Sequence, residues 1–231
     1  MILDKRADLG HGDVKKLLFS LSVPTITSQI VNMLYNLVDR VFIGHMQPAE
    51  TVGKLALTGV GVCLPIIMVI SAFASLMAIG GAPRASIAEG AGESEKSEHI
   101  MGNCLTMLVI TALVLTVLFE SFAEPLLLMF GASENTIGYA LDYMRIYALG
   151  TIFVQLTLGM NSYITAQGFA TVSMKTVLIG ALLNTALDPL FIFVLGLGVR
   201  GAALATVISQ AVSAVWVMTF LTGKKTRWHL K

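Results

Sequence analysis

Six stretches of predominantly apolar residues follow one another along the chain, each long enough to cross a bilayer as a helix: 16–45, 53–80, 100–130, 137–167, 172–195 and 199–221. The hydrocarbon core takes about 20 helical residues to span, so little of the chain is left over for anything else. Only 13% of the 231 residues are charged and 55% are hydrophobic. A soluble domain carries roughly 25% charged residues. With a mean hydropathy of +0.80, this chain lacks the charge to cover a water-exposed surface, and lipid removes that need. The segments between the runs carry breakers. Gln47-Pro48 follows the first run, a short charged loop from Glu89 to Glu98, whose GAGESEKSE run could start the third helix, follows the second, Gly131-Ala-Ser-Glu134 offers Ser133 as an N-cap, and Gly196 to Gly201 is a tight turn. The expectation is an all-α, polytopic membrane protein whose residues 1–231 form one six-helix bundle.

Charge orients such a bundle. Lys5, Arg6, Lys15 and Lys16 precede the first run, Arg84 and Lys96 flank the second loop, Lys175 follows the fourth run, and Lys224, Lys225, Arg227 and Lys231 follow the sixth. With six spans these fall on one side, against Arg40, Lys54, Arg145 and Arg200 on the other. The positive-inside rule then puts both termini on the cytoplasmic side of the membrane. The basic N-terminus superficially resembles a signal peptide, but the apolar stretch is too long and polar and no small-residue cleavage site follows, so it reads as a retained first helix. A net charge of +1 suggests no nucleic-acid partner. Cys63 and Cys104 sit inside apolar runs and read as small buried hydrophobes. Gly196-Leu-Gly198-Val-Arg-Gly201 matches a dinucleotide fingerprint in letters only, because that motif needs a preceding strand and a later acid. No other catalytic motif occurs, so no enzyme is expected.

Function is therefore sought in the polar residues that oil makes costly, at about 2.5–3.5 kcal/mol for an acid at a span centre. Asp188 is the clearest: it lies 13 residues after Lys175 and is followed by the apolar run PLFIFVLGLG. Asn184 precedes it by one turn on the same face, and Pro189, lacking an N–H, frees a carbonyl one turn back. A free carbonyl beside a carboxylate suits a hard cation; the plainer alternative is a structural Asp bonded to a neighbouring helix. Asp39 reads either as an interfacial residue beside Arg40 or, if the helix continues to His45, as one about 9 Å inside its end. Gln29, Asn32, Asn36 and Asp39 recur on one side of that helix. Asp188, Asp39 and Thr206 come out at similar depth in the outer half, on three helices; Thr206, Ser209, Gln210 and Ser213 mark one face of the sixth. The fourth run adds Gln155, Asn161, Ser162 and Thr165. Tyr139, Tyr143 and Tyr147 at its start read either as an interfacial belt or as a cavity wall for flat cations. The twelve methionines suit a promiscuous surface or ordinary packing.

Four segments carry a family resemblance: VPTITSQIVNMLYNLVDRVFIGH in the first span, MNSYITAQG ending the fourth, LLNTALDPLFIF in the fifth and GAALATVISQ in the sixth. The chain resembles the N-terminal six-helix half of the multidrug and toxic compound extrusion (MATE) transporters, in particular their prokaryotic DinF-like branch. The resemblance implies one lobe of a twelve-helix antiporter that expels organic cations and drugs against entry of Na⁺ or H⁺. It implies that Asp39, Asn184, Asp188 and Thr206 form the cation site, holding the metal ion where sodium is the coupling ion. Gln29, Asn32, Asn36, Tyr139, Gln155, Asn161, Ser162 and Gln210 are the candidate substrate-cavity residues. No cofactor is expected beyond the coupling ion. A family member is about twice as long, which leaves two readings: a fragment or truncated half that binds without exporting, or a half-transporter working as a parallel homodimer, since six spans return both ends to one side. A third reading, a lipid-linked oligosaccharide flippase of the same superfamily, would need a basic cavity for phosphates, and few basic residues lie within the spans. In the antiport reading, cation binding lets the outer part of the first helix bend at Pro24 or Gly44.

Overall fold

A computed structural model describes residues 13–224 and 226–230, with Ala49 and Glu50 described by backbone alone. Lys5, Arg6, Lys225 and Lys231, used above for orientation, lie outside the described residues. Those residues are all-helical, in the order α1 (Val14–Gly44), a π turn (Ala49–Gly53), α2 (Lys54–Val62), α3 (Leu64–Gly90), α4 (Ser94–Ser121), α5 (Ala123–Met129), α6 (Ile137–Leu149), α7 (Thr151–Ala166), α8 (Ala170–Pro189), a second π turn (Leu190–Val194) and α9 (Val199–Leu221). Five stretches are long and apolar enough to cross a membrane: Val14–Gly44, Thr51–Gly90, Ser94–Ser121, Ala170–Val194 and Val199–Leu221. The run at 137–167 is two helices, α6 and α7, separated by Gly150. A Cβ at that glycine would collide with the Val207 side chain, so the break lies where these helices pack tightly on α9.

Two local expectations are corrected. The loop expected from Glu89 to Glu98 is shorter than that: α3 runs on to Gly90, and the GAGESEKSE run does start the next helix, α4, at Ser94. Only Ala91–Glu93 connect them, with Gly92 at a φ of 82° that a side chain would resist. Ser133 does not cap α6 with its side chain. Its backbone N–H donates to Thr136 Oγ1 at 2.9 Å, and its carbonyl accepts from Ile137 N at 2.9 Å. The glycines at 196–201 do form a turn. Gly196 and Gly198 have φ of 64° and 56°, and a Cβ on Gly201 would lie 2.7 Å from the Phe191 carbonyl.

Burial runs opposite to a water-soluble protein. Large apolar side chains such as Ile79, Leu113, Val117, Leu182 and Val215 are exposed. In water so much exposed apolar surface would be an aggregation liability; in a bilayer it is the lipid-facing surface of a multi-pass protein. The interior instead holds small residues, among them Ala74, Ala85, Ala202, Ala203 and Ala205. Helices in lipid gain little from hiding apolar surface from one another and pack through close backbone approach. Gly159 against Leu108 and Gly180 against Ser213 show that approach, with hypothetical Cβ distances of 2.5 and 2.6 Å.

The apolar interior falls into two clusters. One joins Ile43, Val60, Ile66, Ile70, Tyr143, Met144 and Ile192; the other joins Met101, Leu108, Met160, Tyr163, Val217 and Trp228. Between them, α7 contributes Gln155 and Thr157 and α9 contributes Thr206 to Ser213. α1 lies along α8, with lesser contact to α2 and α9, which brings the polar stripe of α1 to the same place.

Candidate functional site

The polar centre of the bundle begins with the way α8 ends. Pro189 lacks an N–H, so the carbonyl of Thr185, four residues earlier, has no helical donor from it. Directly after Pro189 the helix widens into the π turn Leu190–Val194, closed by Leu195 N donating to Leu190 O at 2.9 Å. Such widened turns re-aim side chains and recur at functional sites. Here the wide turn lies just beyond Asp188, which is fully buried.

Asp188 has little protein to satisfy it. Asn184 Nδ2 donates to Asp188 Oδ1 at 3.3 Å and also lies 3.5 Å from Thr206 Oγ1. The Thr206 hydroxyl in turn donates to Ala202 O at 3.1 Å. One side-chain amide thus ties α8 to α9, bridging carboxylate and hydroxyl. Asp39, on α1, is 8% exposed, and the helix that carries it packs along α8. Of the buried side-chain oxygens left without a hydrogen-bond partner, three belong to these acids and their amide, Asp39 Oδ1, Asn184 Oδ1 and Asp188 Oδ2, and Ser209 Oγ and Gln210 Oε1 of the neighbouring α9 face are unpartnered as well. Buried acceptors are almost always paired, and unpaired carboxylate oxygens are the costliest to leave so. Oxygen acceptors without donors are what a hard cation, or a proton, would satisfy. Among the described residues no group of three or more His, Cys, Asp and Glu side chains could hold a metal ion; this donor set is two carboxylates supplemented by an amide and a hydroxyl.

The candidate cavity residues divide. A small pocket of about 40 Å³ is lined by Asn32, Tyr35, Asn184, Thr206, Ser209 and Gln210 among others. A larger cleft of about 490 Å³, sharing Asn32, Thr157 and Val177 with it, is lined by Gln29, Asn161, Ser162, Thr165 and Ser173 among others. Gln29, Asn32, Asn161, Ser162 and Gln210 therefore face one connected polar space. Three others do not. Gln155 is fully buried and donates to Ile70 O at 2.9 Å, tying α7 to α3. Asn36 is exposed and donates to Asn32 O at 2.7 Å. Tyr139 packs its Cβ against Gly59, where α6 crosses α2. A polar side chain on an amphipathic stripe can be spent on cross-linking helices as easily as on lining a cavity, and spacing alone does not separate the two uses.

Two tyrosines complete the centre: Tyr35, which was not among the candidates, and Tyr143, which the sequence left open between interfacial belt and cavity wall. Tyr35 lines the small pocket beside Asn36 and Gln210. Tyr143, buried and stacked on Tyr147 at 5.9 Å, lies next to Thr206. The signal for Tyr35 was present, since it sits within the Asn32–Asn36–Asp39 stripe, but an aromatic in a span also suits an interfacial belt.

A helical membrane bundle that encloses an acid-bearing polar space between its spans is an architecture that membrane transporters share. The comparisons name the kind. The MatE family model matches residues 24–190, and the chain belongs to that family. It is 29% identical over 214 residues to the multidrug export protein MepA of Staphylococcus haemolyticus, covering 93% of this chain and 46% of that protein. It is 25% identical over 207 residues to MepA of Staphylococcus aureus, covering 90% and 45%. Among solved structures, a MOP superfamily transporter from Pyrococcus furiosus, described as having a binding pocket of reverse polarity, superposes with a TM-score of 0.89 at 28% identity, over 99% of this chain and 50% of that one. MATE in the bent and in the straight conformation each superpose with a TM-score of 0.87 at 28% identity, over 95% of this chain and 48% of theirs. The chain spans about half the length of the curated relatives it matches.

Proposed function

We propose that the chain is the N-terminal half of a cation-coupled multidrug antiporter, exporting organic cations and drugs from the cytoplasm across the inner membrane in exchange for Na⁺ or H⁺, with Asp39, Asn184, Asp188 and Thr206 as the cation site. The observation that carries this reading is the trio of buried, donorless oxygens on α1 and α8. Two carboxylates in oil repel each other and lack solvation, and an arriving cation relieves both penalties at once. Without it, α1 is pushed from α8; with it, α1 is drawn in. That difference in cation affinity between two arrangements of α1 is the coupling free energy an antiporter needs.

α1 is built to have two arrangements. Pro24 interrupts its hydrogen-bond ladder, and Thr25, Thr27 and Ser28 return their hydroxyls to the carbonyls of Leu21, Val23 and Pro24 at 2.7–2.8 Å. Back-bonded hydroxyls beside a proline are a recognised cause of helix bending. The cleft lined by Gln29, Asn161 and Ser162 lies against this part of α1, so a bend at Pro24 changes its volume. The other wall of the drug path is supplied by a second six-helix unit, either a further stretch of a longer polypeptide or a second copy related by a two-fold axis along the membrane normal. Both chain ends lie on the cytoplasmic side in this arrangement.

The test is ethidium efflux from cells expressing the transporter with Asp188→Asn. Efflux driven by the ion gradient is expected to vanish while the protein remains in the membrane. Undiminished efflux by that variant overturns the assignment.

A further inference from the structure

A large concavity lies apart from the polar centre. It is a groove of about 860 Å³ between α3 and α4, lined by Leu76, Met77, Gly80, Gly81, Arg84, Ile87, Glu93, Lys96, Ile100, Asn103 and Cys104 among others. Its size lies in the range of ligand-holding pockets, roughly 300–1,000 Å³. The rim is apolar and outward-facing, with Leu76 61% and Ile87 73% exposed, so the groove opens onto the surface that faces lipid.

Its polarity is graded. Toward the α3–α4 connection stand two cations. Arg84 is six residues before the end of α3 at Gly90, about 9 Å inside it, and Lys96 is in the first turn of α4. Arg84 is exposed, and among the described residues no hydrogen bond or ion pair engages it. Lys96 meets Glu93 at 2.7 Å, with both side chains more than half exposed; such a pair is weak and exchangeable. Further along, the groove loses its charge. Gly80 leaves its wall open, since a Cβ there would meet nothing within 4 Å. The Tyr163 hydroxyl, in a fully buried side chain without a partner, stands behind Gly81 and Cys104 at the floor.

An unpaired arginine at the edge of the hydrocarbon, above an apolar trough open to lipid, lacks an anion that has its own acyl chain. We propose that this groove is a binding site for an anionic phospholipid, its phosphate held by Arg84 and Lys96 and an acyl chain lying along Gly80, Met77 and Leu76. From Arg84 to Leu76 is eight residues, about 12 Å of helix, which a chain can follow from headgroup level into the hydrocarbon. Basic pockets between membrane helices are known to select anionic headgroups in this way. A free phosphate would use the cations but leave the trough empty.

Two variants separate charge from shape, and neither disturbs packing. Arg84→Gln neutralises an exposed side chain, and Gly80→Leu fills open space in the groove. The purified chain is delipidated in mild detergent and titrated with phosphatidylglycerol or phosphatidylcholine of identical acyl chains, with bound lipid counted by native mass spectrometry and monodispersity as the folding control. The wild type is expected to favour phosphatidylglycerol about fivefold or more, the effect of roughly one basic residue at a membrane surface. Arg84→Gln should reduce that preference to under twofold, and Gly80→Leu should lower binding of both lipids. Equal binding of the two headgroups by the wild type, an undiminished preference in Arg84→Gln, or undiminished lipid binding by Gly80→Leu overturns the proposal. So does competition by millimolar inorganic phosphate as effective as that by phosphatidylglycerol, which would mark the cations as a site for free anions. A detergent-stable dimer abolished by Gly80→Leu would give the groove to a second copy and overturn it as well.

Discussion

Asp188→Asn is the substitution from which the most can be calculated. Asparagine has the shape of aspartate, so packing at this fully buried position is kept, and the Asn184 contact at 3.3 Å finds an amide oxygen in place of a carboxylate. What disappears is one charge facing Asp39. In the absence of coupling ion the variant is relieved of a buried like-charge pair, so its folded state is expected to be at least as stable as the wild type. Addition of ion reverses the order. A ligand that binds only the folded state contributes RT ln(1 + [L]/Kd), about 1.4 kcal/mol for each tenfold rise above Kd. For a chain of this size 1 kcal/mol moves the midpoint by about 2–4 °C, so each decade of Na⁺ should raise the wild-type Tm by roughly 3–6 °C and leave the variant flat. Thermal unfolding in mild detergent checks this, with choline chloride holding ionic strength constant so that screening does not imitate binding. If protons couple instead, Na⁺ is without effect and the same contrast between wild type and variant appears on acidification, because binding at the carboxylates is then protonation. The reasoning is refuted by an Asp188→Asn protein that keeps the full ion-dependent rise, since that ion would be bound somewhere Asp188 does not reach.

Other consequences follow from close contacts. Gly81→Ala is expected to destabilise by about 1–3 kcal/mol, because its Cβ would fall 1.9 Å from Tyr163 Oη and 2.5 Å from Cys104 Sγ, whereas Gly61→Ala, whose Cβ meets nothing within 4 Å, should be neutral or stabilising; paired melts in detergent decide it. Trp228 is 1% exposed, stacks edge-on against Tyr163 at 6.4 Å and donates from Nε1 to Glu89 Oε2 at 3.2 Å. Trp228→Ala should cost about 3–5 kcal/mol and release the segment around it, read out as faster tryptic cleavage after Lys224; unchanged protection would mean that the Arg227–Glu89 ion pair at 2.7 Å and the backbone bonds to Gln167 hold the segment without the indole.

The apolar runs announced the membrane helices because in oil the backbone can satisfy itself only as helix, so length and apolarity leave one conformation for a span. Their ends were less readable. α3 continues through Arg84 and Glu89 to Gly90, since a helix does not stop where the hydrocarbon stops. The break at Gly150 was hidden because a lone glycine in a membrane span is ordinary, and only its approach to Val207 gives it meaning. At the site, the i, i+4 relation of Asn184 and Asp188 was already in the letters, and Thr206 joined them by depth. Gln155 was misread for a physical reason: an amide that lines a cavity and an amide that bonds a carbonyl across a helix interface occupy the same stripe, and the partner, Ile70 O, is 85 positions away. The segment held at Gln167 was likewise invisible. Its Oε1 accepts from Thr226 Oγ1, Arg227 N and Trp228 N at 2.8, 2.8 and 3.3 Å, a bond set that no local pattern encodes.

The two features that set α1 apart belong to one argument. It carries Asp39, whose Oδ1 has no donor, and the Pro24 region where its own ladder is interrupted; the two are 15 positions apart, about 22 Å along a helix. A rigid helix would carry any displacement of Asp39 to its far end as a tilt of the whole element. A helix weakened at Pro24 instead confines the movement to the part that carries Gln29, Asn32 and Asp39, which is the part facing the polar space, and leaves the stretch from Val14 to Leu21 where it is. In the proposed antiport, cation binding at Asp39 and Asp188 and the volume of the cleft at Gln29 would be governed by the same bend. Pro24→Ala tests that link: it restores a ladder bond without touching either carboxylate, so ion-dependent stabilisation should persist while ethidium efflux falls severalfold. Loss of both together would place the proline in ion binding itself, and retention of both would remove the bend from the mechanism.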